Sequence, residues 1–146
     1  LHDWTLVLLQ TADEHVLPQV VAQTVRELFA VPQVALRVWG MQPEFDEAPH
    51  VYPPADDVQT FASSLVEPFC GPNPGLDVVQ WLDDPASVAS VAVVPLREDA
   101  GEPAFGVLVM GSDDAQRFSA DMGTEFLSRM SALASAALAS ARPLSL

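Results

Sequence analysis

The residues able to do chemistry in this chain are few, and their spacing excludes more than it offers. Cys70 is the single thiol, set after Phe69 in a Gly/Pro-rich segment with no basic residue within 25 positions. A reactive thiolate needs a nearby cation or a helix N-terminus, so a small buried apolar role competes with a redox or attachment role. His2, His15 and His50 share no ligand spacing, and neither HxH nor HExxH occurs, so no metal site is expected. The pairs Asp56-Asp57, Asp83-Asp84 and Asp113-Asp114 have the composition of Mg²⁺ or Ca²⁺ ligands, but no EF-hand loop frames them. Adjacent acids of this kind more often cap helices and solvate turns. Gly71 and Gly75 do not make a phosphate cradle, because Pro72 and Pro74 each remove a backbone donor there.

Arg37 and Trp39 form the most suggestive pair. In a strand they share one face, opposite Val34, Leu36 and Val38. If helices cover the aliphatic face, Arg37 and Trp39 look toward the other layer. There an arginine can hold a carboxylate or phosphate, and a tryptophan can stack on a ring. Trp81 and Cys70 are expected to join them from the loops that cover this face. The alternative pairs Arg37 with a surface acid and gives Trp39 a packing role.

The 146 residues suit a single domain over residues 1–146, with 49% hydrophobic and 18% charged residues. All six bases are arginines against 20 acids, a net charge of −14. The absence of lysine excludes Schiff-base chemistry and a Walker-type phosphate lysine. The acidic balance argues against nucleic acid or an anionic membrane as partner. One cysteine cannot form an internal disulfide, so a cytoplasmic location is the simpler expectation. The chain opens without Met and already reads as helix, from which an excised domain with an upstream segment absent from this sequence is expected.

The elements that must position these residues follow from periodicity. Residues 1–31 read as two helices divided near Pro18, with Thr11-Ala12-Asp13 as the joint and Asp13 as a candidate cap. Gln33–Trp39 alternates as a strand. Residues 41–57 form a Pro-rich acidic loop with one short strand near His50–Tyr52. Val58–Pro68 suits a short helix capped by Asp56 or Asp57. Residues 70–75 read as a turn cluster, and Leu76–Leu82 stays ambiguous. Val88–Arg97 and Ala104–Ser112 read as a β-hairpin with a polar tip. A long helix from Ala120 to about Ala141 closes the chain, with Ser119 as its cap. The fold class is α+β: antiparallel strands flanked by helices, with the terminal helices on one sheet face.

The last helix carries a second candidate surface. Met130 and Ala137 lie on one apolar stripe and Ala134 and Leu138 beside it, with small residues that allow another helix to approach. Core packing within one subunit accounts for part of this pattern. A homodimer interface through Met130, Ala134, Ala137 and Leu138 accounts for the rest.

The junction Phe105-Gly106-Val107-Leu108-Val109-Met110-Gly111-Ser112-Asp113-Asp114-Ala115-Gln116-Arg117-Phe118, followed by Met122-Gly123-Thr124 and Phe126-Leu127, resembles the GAF-like family catalogued as domain of unknown function 484. Ser90-Val91-Ala92-Val93-Val94-Pro95-Leu96 and the Cys70-Gly71 turn are similar to it as well. The resemblance implies a central antiparallel sheet with the N- and C-terminal helices on one face. Loops and short helices on the other face would enclose a small-molecule pocket. It implies a sensory role and supplies no catalytic residues. The junction also reads without the family: the glycines permit close packing, the Asp pair satisfies turn N–H groups, and Arg117 answers their charge.

The expected function is therefore a non-catalytic GAF-like sensory or regulatory domain. It would bind an unidentified small molecule at Arg37, Trp39, Cys70 and Trp81 and signal through its terminal helices. The alternative is a ligand-free dimerisation or protein-interaction module with an acidic surface. An enzyme ranks third, because no nucleophile–base pair, metal set or nucleotide loop stands out, and no cofactor is identified.

Overall fold

A computed structural model describes residues 2–11, 16–41, 50–52, 56–98, 102–119 and 125–139. Helices α1 (His2–Gln10) and α2 (Leu17–Leu28) lead into strand β1 (Gln33–Val38), then helix α3 (Asp56–Ser64) and strand β2 (Phe69–Pro72). Two short 3-10 turns follow, Asp77–Trp81 and Pro85–Ser87. Strands β3 (Ser90–Leu96) and β4 (Gly106–Ser112) and helix α4 (Glu125–Ala139) complete the order. Pro18 sits in the first turn of α2, where its missing N–H costs nothing, so the expected division of the first segment is observed. The candidate cap Asp13, the tip residues 99–101 and the start of the last helix at 120–124 lie outside the described residues.

The sheet is antiparallel throughout in the order β1-β4-β3-β2. β3 and β4 are central, and every residue of both is buried. Two apolar layers sandwich the sheet. On one face Trp4, Val21, Val25, Leu127, Met130 and Leu138 pack on Leu36, Val94 and Leu108. On the other, Val78, Val79, Leu82 and Ala62 pack on Val91, Val93, Val107 and Val109. Alternation along β3 and β4 sends successive side chains to opposite layers, so one strand pair supplies both cores.

Two expectations need correction. Residues 69–72 are strand β2 and not part of a turn cluster, so the order gains a strand between α3 and β3. Pro72 is tolerated because β2 is an edge strand, where a missing ladder donor costs little. The second concerns α4. Met130, Ala134 and Leu138 are at most 1% exposed within the single chain, and Ala137 is half-buried against the same core. Side chains fully enclosed by their own sheet and helices have no surface left for a second copy. Met130, Ala134 and Leu138 are therefore core positions, and Ala137 lies at the edge of the same core.

The β4–α4 junction is structural, as its turn chemistry suggests. The Asp114 carboxylate accepts the Gln116 N–H at 2.9 Å, and the Ser112 hydroxyl accepts the Asp114 N–H at 3.1 Å. The buried Ser90 hydroxyl donates to the Asp114 carbonyl at 2.7 Å and accepts the Phe118 N–H at 3.2 Å. Arg117 donates to the Phe29 carbonyl at the end of α2 rather than to the adjacent acids, tying the helix layer to this turn.

Candidate functional site

The layer opposite the long helices is built from short elements, and between two of them the surface is concave. α3 and the 3-10 turn 77–81 flank a cleft of about 410 Å³ lined by Val58, Phe61, Leu76, Val78 and Trp81, with Asp57 and Asp77 adding carboxylates. Helical spacing explains the α3 wall: positions 57, 58 and 61 fall on one side, since residues i and i+4 are neighbours. Asp57 stands in the first turn of α3 and Asp77 in the first turn of the 3-10 segment, where negative charge suits the exposed N–H groups. A cleft of this size, apolar with a few polar groups, has the character of a small-molecule site.

Trp81 joins this cleft to a second feature. The Arg37 guanidinium lies over the Trp81 ring at 4.2 Å from its centroid and over the Tyr52 ring at 4.4 Å. Each stack is a cation–π contact. Tyr52 is brought there by a short parallel pairing at the edge of the sheet. The Val38 N–H donates to the His50 carbonyl and the Tyr52 N–H to the Val38 carbonyl, both at 2.9 Å. The short strand expected near His50–Tyr52 is thus present as one bridge. Its entry residue His50 has a positive φ of 71° and its Nδ1 lies 3.2 Å from the Leu36 carbonyl oxygen. Burial lowers its pKa from the usual 6.5, and the contact with Leu36 opposes that shift.

The remaining described arginines all have polar partners. Arg26 faces Asp83 at 3.8 Å and Arg129 meets Glu125 at 2.9 Å. Arg97 donates to the Ala62, Ser63 and Glu102 carbonyls, and Arg117 to Phe29. Arg37 has stacking rings and, among the described residues, no hydrogen bond or ion pair at its N–H groups. Pairing with a surface acid, the alternative weighed from the sequence, is not seen among the described residues.

The four residues singled out for a ligand separate into two groups. Arg37, Trp39 and Trp81 belong to the layer opposite the long helices, as the alternation of β1 requires. Trp39 is 6% exposed and packs into that core; of these residues Trp81 lines the cleft, and Arg37 and Trp39 do not. Cys70 is a correction: as a β2 residue it faces the helix layer. Its thiol donates to the Ser119 carbonyl at 3.5 Å, and burial pushes its pKa up, which disfavours the reactive thiolate. Sequence reasoning missed Tyr52, Asp57, Phe61 and Asp77. The 57/58/61 spacing on α3 was available as a signal, whereas no periodicity encodes the pairing that brings Tyr52 beside Arg37.

Among the described residues no helix is long and apolar enough to cross a membrane. No curated protein matches the chain. Among solved structures it is similar to the GAF domain assigned to a sensor histidine kinase from Pseudomonas syringae pv. tomato, with 20% identity, a TM-score of 0.55, and coverage of 95% of this chain and 83% of that one. It is also similar to the free methionine-R-sulfoxide reductase from Neisseria meningitidis in complex with its substrate (16% identity, TM-score 0.65, 96% and 86% covered). A third is a methyl-accepting chemotaxis protein, residues 122 to 287 (14% identity, TM-score 0.57, 95% of each chain covered). These likenesses establish the GAF-like fold. Residues 7–139 match the model of the family described as Protein of unknown function, DUF484, and the chain belongs to that family.

Proposed function

We propose that this chain is a non-catalytic GAF-like sensory domain that binds a small molecule in the cleft between α3 and the 77–81 turn. The observation that carries this reading is the cleft, whose wall residue Trp81 also stacks with the Arg37 guanidinium beside Tyr52. Occupancy would be felt through Trp81 at Arg37, hence in β1. That strand packs on α2, which in turn meets α1 and α4. The GAF domain of the sensor kinase and the chemotaxis protein support a sensory role by their likeness in fold; the reductase shows that the fold can also serve an enzyme.

The test is native mass spectrometry of freshly purified protein, followed by analysis of the denatured extract. A ligand at 100-fold over its dissociation constant stabilises a fold by about 2.7 kcal/mol, so a tight one should survive purification. The expected result is a reproducible added mass that disappears on denaturation and in Trp81→Ala. An added mass that persists in Trp81→Ala places the ligand elsewhere and refutes the site.

A homodimer through the helix layer is the second reading, favoured by Leu9, which is 77% exposed on α1, with Leu6 and Phe126 also exposed on α1 and α4. Leu9→Asp should halve the mass seen in sedimentation. An unchanged dimer mass excludes α1, and a monomeric parent excludes the interface.

A further inference from the structure

Resting on the ligand-binding reading above, we infer that the cleft takes a small organic cation, an ammonium group carried on an apolar body. The wall of Val58, Phe61, Leu76, Val78 and Trp81 is apolar and partly aromatic, and its charged side chains are the carboxylates of Asp57 and Asp77. Among the described residues no arginine lines it, and the chain has no lysine. Neither acid has an ion pair among the described residues, and the described arginines are engaged elsewhere. Arg26 faces Asp83, and Arg129 meets Glu125. Arg97 and Arg117 donate to backbone carbonyls, and Arg37 stacks on Trp81 and Tyr52. The remaining arginine is Arg142, near the end of the chain. An apolar cavity bordered by two such carboxylates is complementary to a cation from outside.

The backbone around the cleft argues in the same direction. At the start of α3 the Val58 N–H donates to the Asp57 carboxylate at 3.0 Å, and the Gly75 N–H donates to the Asn73 side-chain oxygen at 2.9 Å. Amides of this kind are what a helix start or a turn offers an anion, and here the chain's own side chains occupy them. A bare metal ion is no better served. Among the described residues no group of three or more His, Cys, Asp and Glu side chains gathers to hold one. An ammonium group on an apolar body suits both parts of the cleft. Its three N–H donors match carboxylate oxygens, and its hydrocarbon leaves water for the wall. Trp81 already carries the Arg37 guanidinium 4.2 Å from its ring centroid, which leaves that ring to the apolar body and the guest's charge to the acids. The volume of about 410 Å³ admits one ring and a short chain.

Calorimetric titration of the purified chain with three probes that share one apolar body tests this. 3-Phenylpropylamine is an ammonium ion at neutral pH, 3-phenylpropanol is its neutral counterpart, and 3-phenylpropionate is an anion. The amine is expected to bind about tenfold tighter than the alcohol, the gain of a charge-assisted hydrogen bond, and tighter still than the carboxylate. Asp57→Asn and Asp77→Asn keep the side-chain shape and remove the charge. Each should weaken amine binding by about threefold or more and leave alcohol binding unchanged, and together they should abolish the preference. The single variants keep the test readable if the double variant fails to fold. Asp3→Asn combined with Asp113→Asn removes the same charge from exposed positions outside the cleft, and should weaken amine binding by less than about twofold. Equal affinity for amine and alcohol overturns the inference, as does tighter binding of the carboxylate or amine binding too weak to titrate. A preference that survives both cleft substitutions, or falls equally with the outlying pair, overturns it too. The sensory reading is judged separately, on the co-purified mass and its loss in Trp81→Ala; a neutral or anionic molecule co-purifying in the cleft would overturn the cation alone.

Discussion

Gly106 opens β4 against the Arg37–Val38 stretch of β1, and substituting it tests the packing of that strand. A Cβ placed there meets Val38 Cγ1 at 2.8 Å, the Arg37 carbonyl oxygen at 3.0 Å and Leu96 Cδ1 at 3.2 Å. Two of these neighbours cannot yield cheaply. Val38 is β-branched and buried, and the Arg37 oxygen belongs to the backbone of the paired strand. Overpacking of this kind costs about 1–3 kcal/mol, while losing glycine's freedom in the unfolded chain returns about 0.4–1 kcal/mol. The net expectation for Gly106→Ala is a loss of about 1–2 kcal/mol.

Gly111, at the far end of the same strand, is the internal control. Its added Cβ would meet Leu82 Cδ1 at 2.7 Å and Val88 Cγ2 at 3.1 Å, side-chain atoms in the opposite layer, and no backbone atom among the three nearest. The end of a leucine can rotate away and Val88 need give by only a few tenths of an ångström, with no backbone atom to move, so Gly111→Ala should cost less than Gly106→Ala. For a domain of this size each kcal/mol moves the melting temperature by ~2–4 °C, so Gly106→Ala should melt ~2–8 °C below the parent. Thermal unfolding by circular dichroism reads both variants. Because the Arg37 carbonyl must recede, Gly106→Ala should also weaken whatever the cleft binds. A Gly106→Ala protein that melts at or above the parent, or a larger drop for Gly111→Ala, would refute the packing argument.

Three further outcomes follow from single contacts. Arg97 donates to the Ala62 and Ser63 carbonyls at 3.2 and 2.7 Å, at the end of α3, so Arg97→Met should cost about 1–2 kcal/mol in urea unfolding. Hydrogen exchange should accelerate in residues 56–64, and unchanged protection there would show that α3 does not depend on this clamp. Leu138 is fully buried, so Leu138→Ala should lose about 2–5 kcal/mol without changing the mass measured in sedimentation; a change of mass at undiminished stability would restore this residue to an interface. Burial lowers the pKa of His50 below 6.5, so the unfolded chain binds more protons just below that pH. The stability this contributes is complete above pH 6.5 and is lost as pH falls toward the folded value. His50→Gln should therefore flatten the parent's decline between pH 7 and pH 5, and parallel stability curves would show that His50 contributes nothing to it.

What the sequence made legible, and what it did not, divides along one physical line. Strand β1 was readable because a period of two is set by the chain itself: once Leu36 and Val38 face one way, Arg37 and Trp39 must face the other, and they do. The helix layer was readable for the same reason, through the spacing of Leu127, Met130, Ala134 and Leu138. The same stripe misled as to use, because periodicity reveals that a face is apolar without revealing what covers it; here the sheet covers it. Cys70 misled through its neighbours. Gly71, Pro72 and Pro74 are turn residues by composition, yet an edge strand tolerates a proline, and pairing with Ala92 turned the thiol toward the helices. Tyr52 was out of reach altogether, since its place beside Arg37 depends on two non-local backbone hydrogen bonds with Val38. The strand could therefore supply a cation of known facing, whereas the rings stacked with it come from positions 15 and 44 residues away in sequence. The surroundings of Arg37 are on that account a property of the tertiary fold, and a variant of Trp81, which lines the cleft, should alter binding there more than any change within β1.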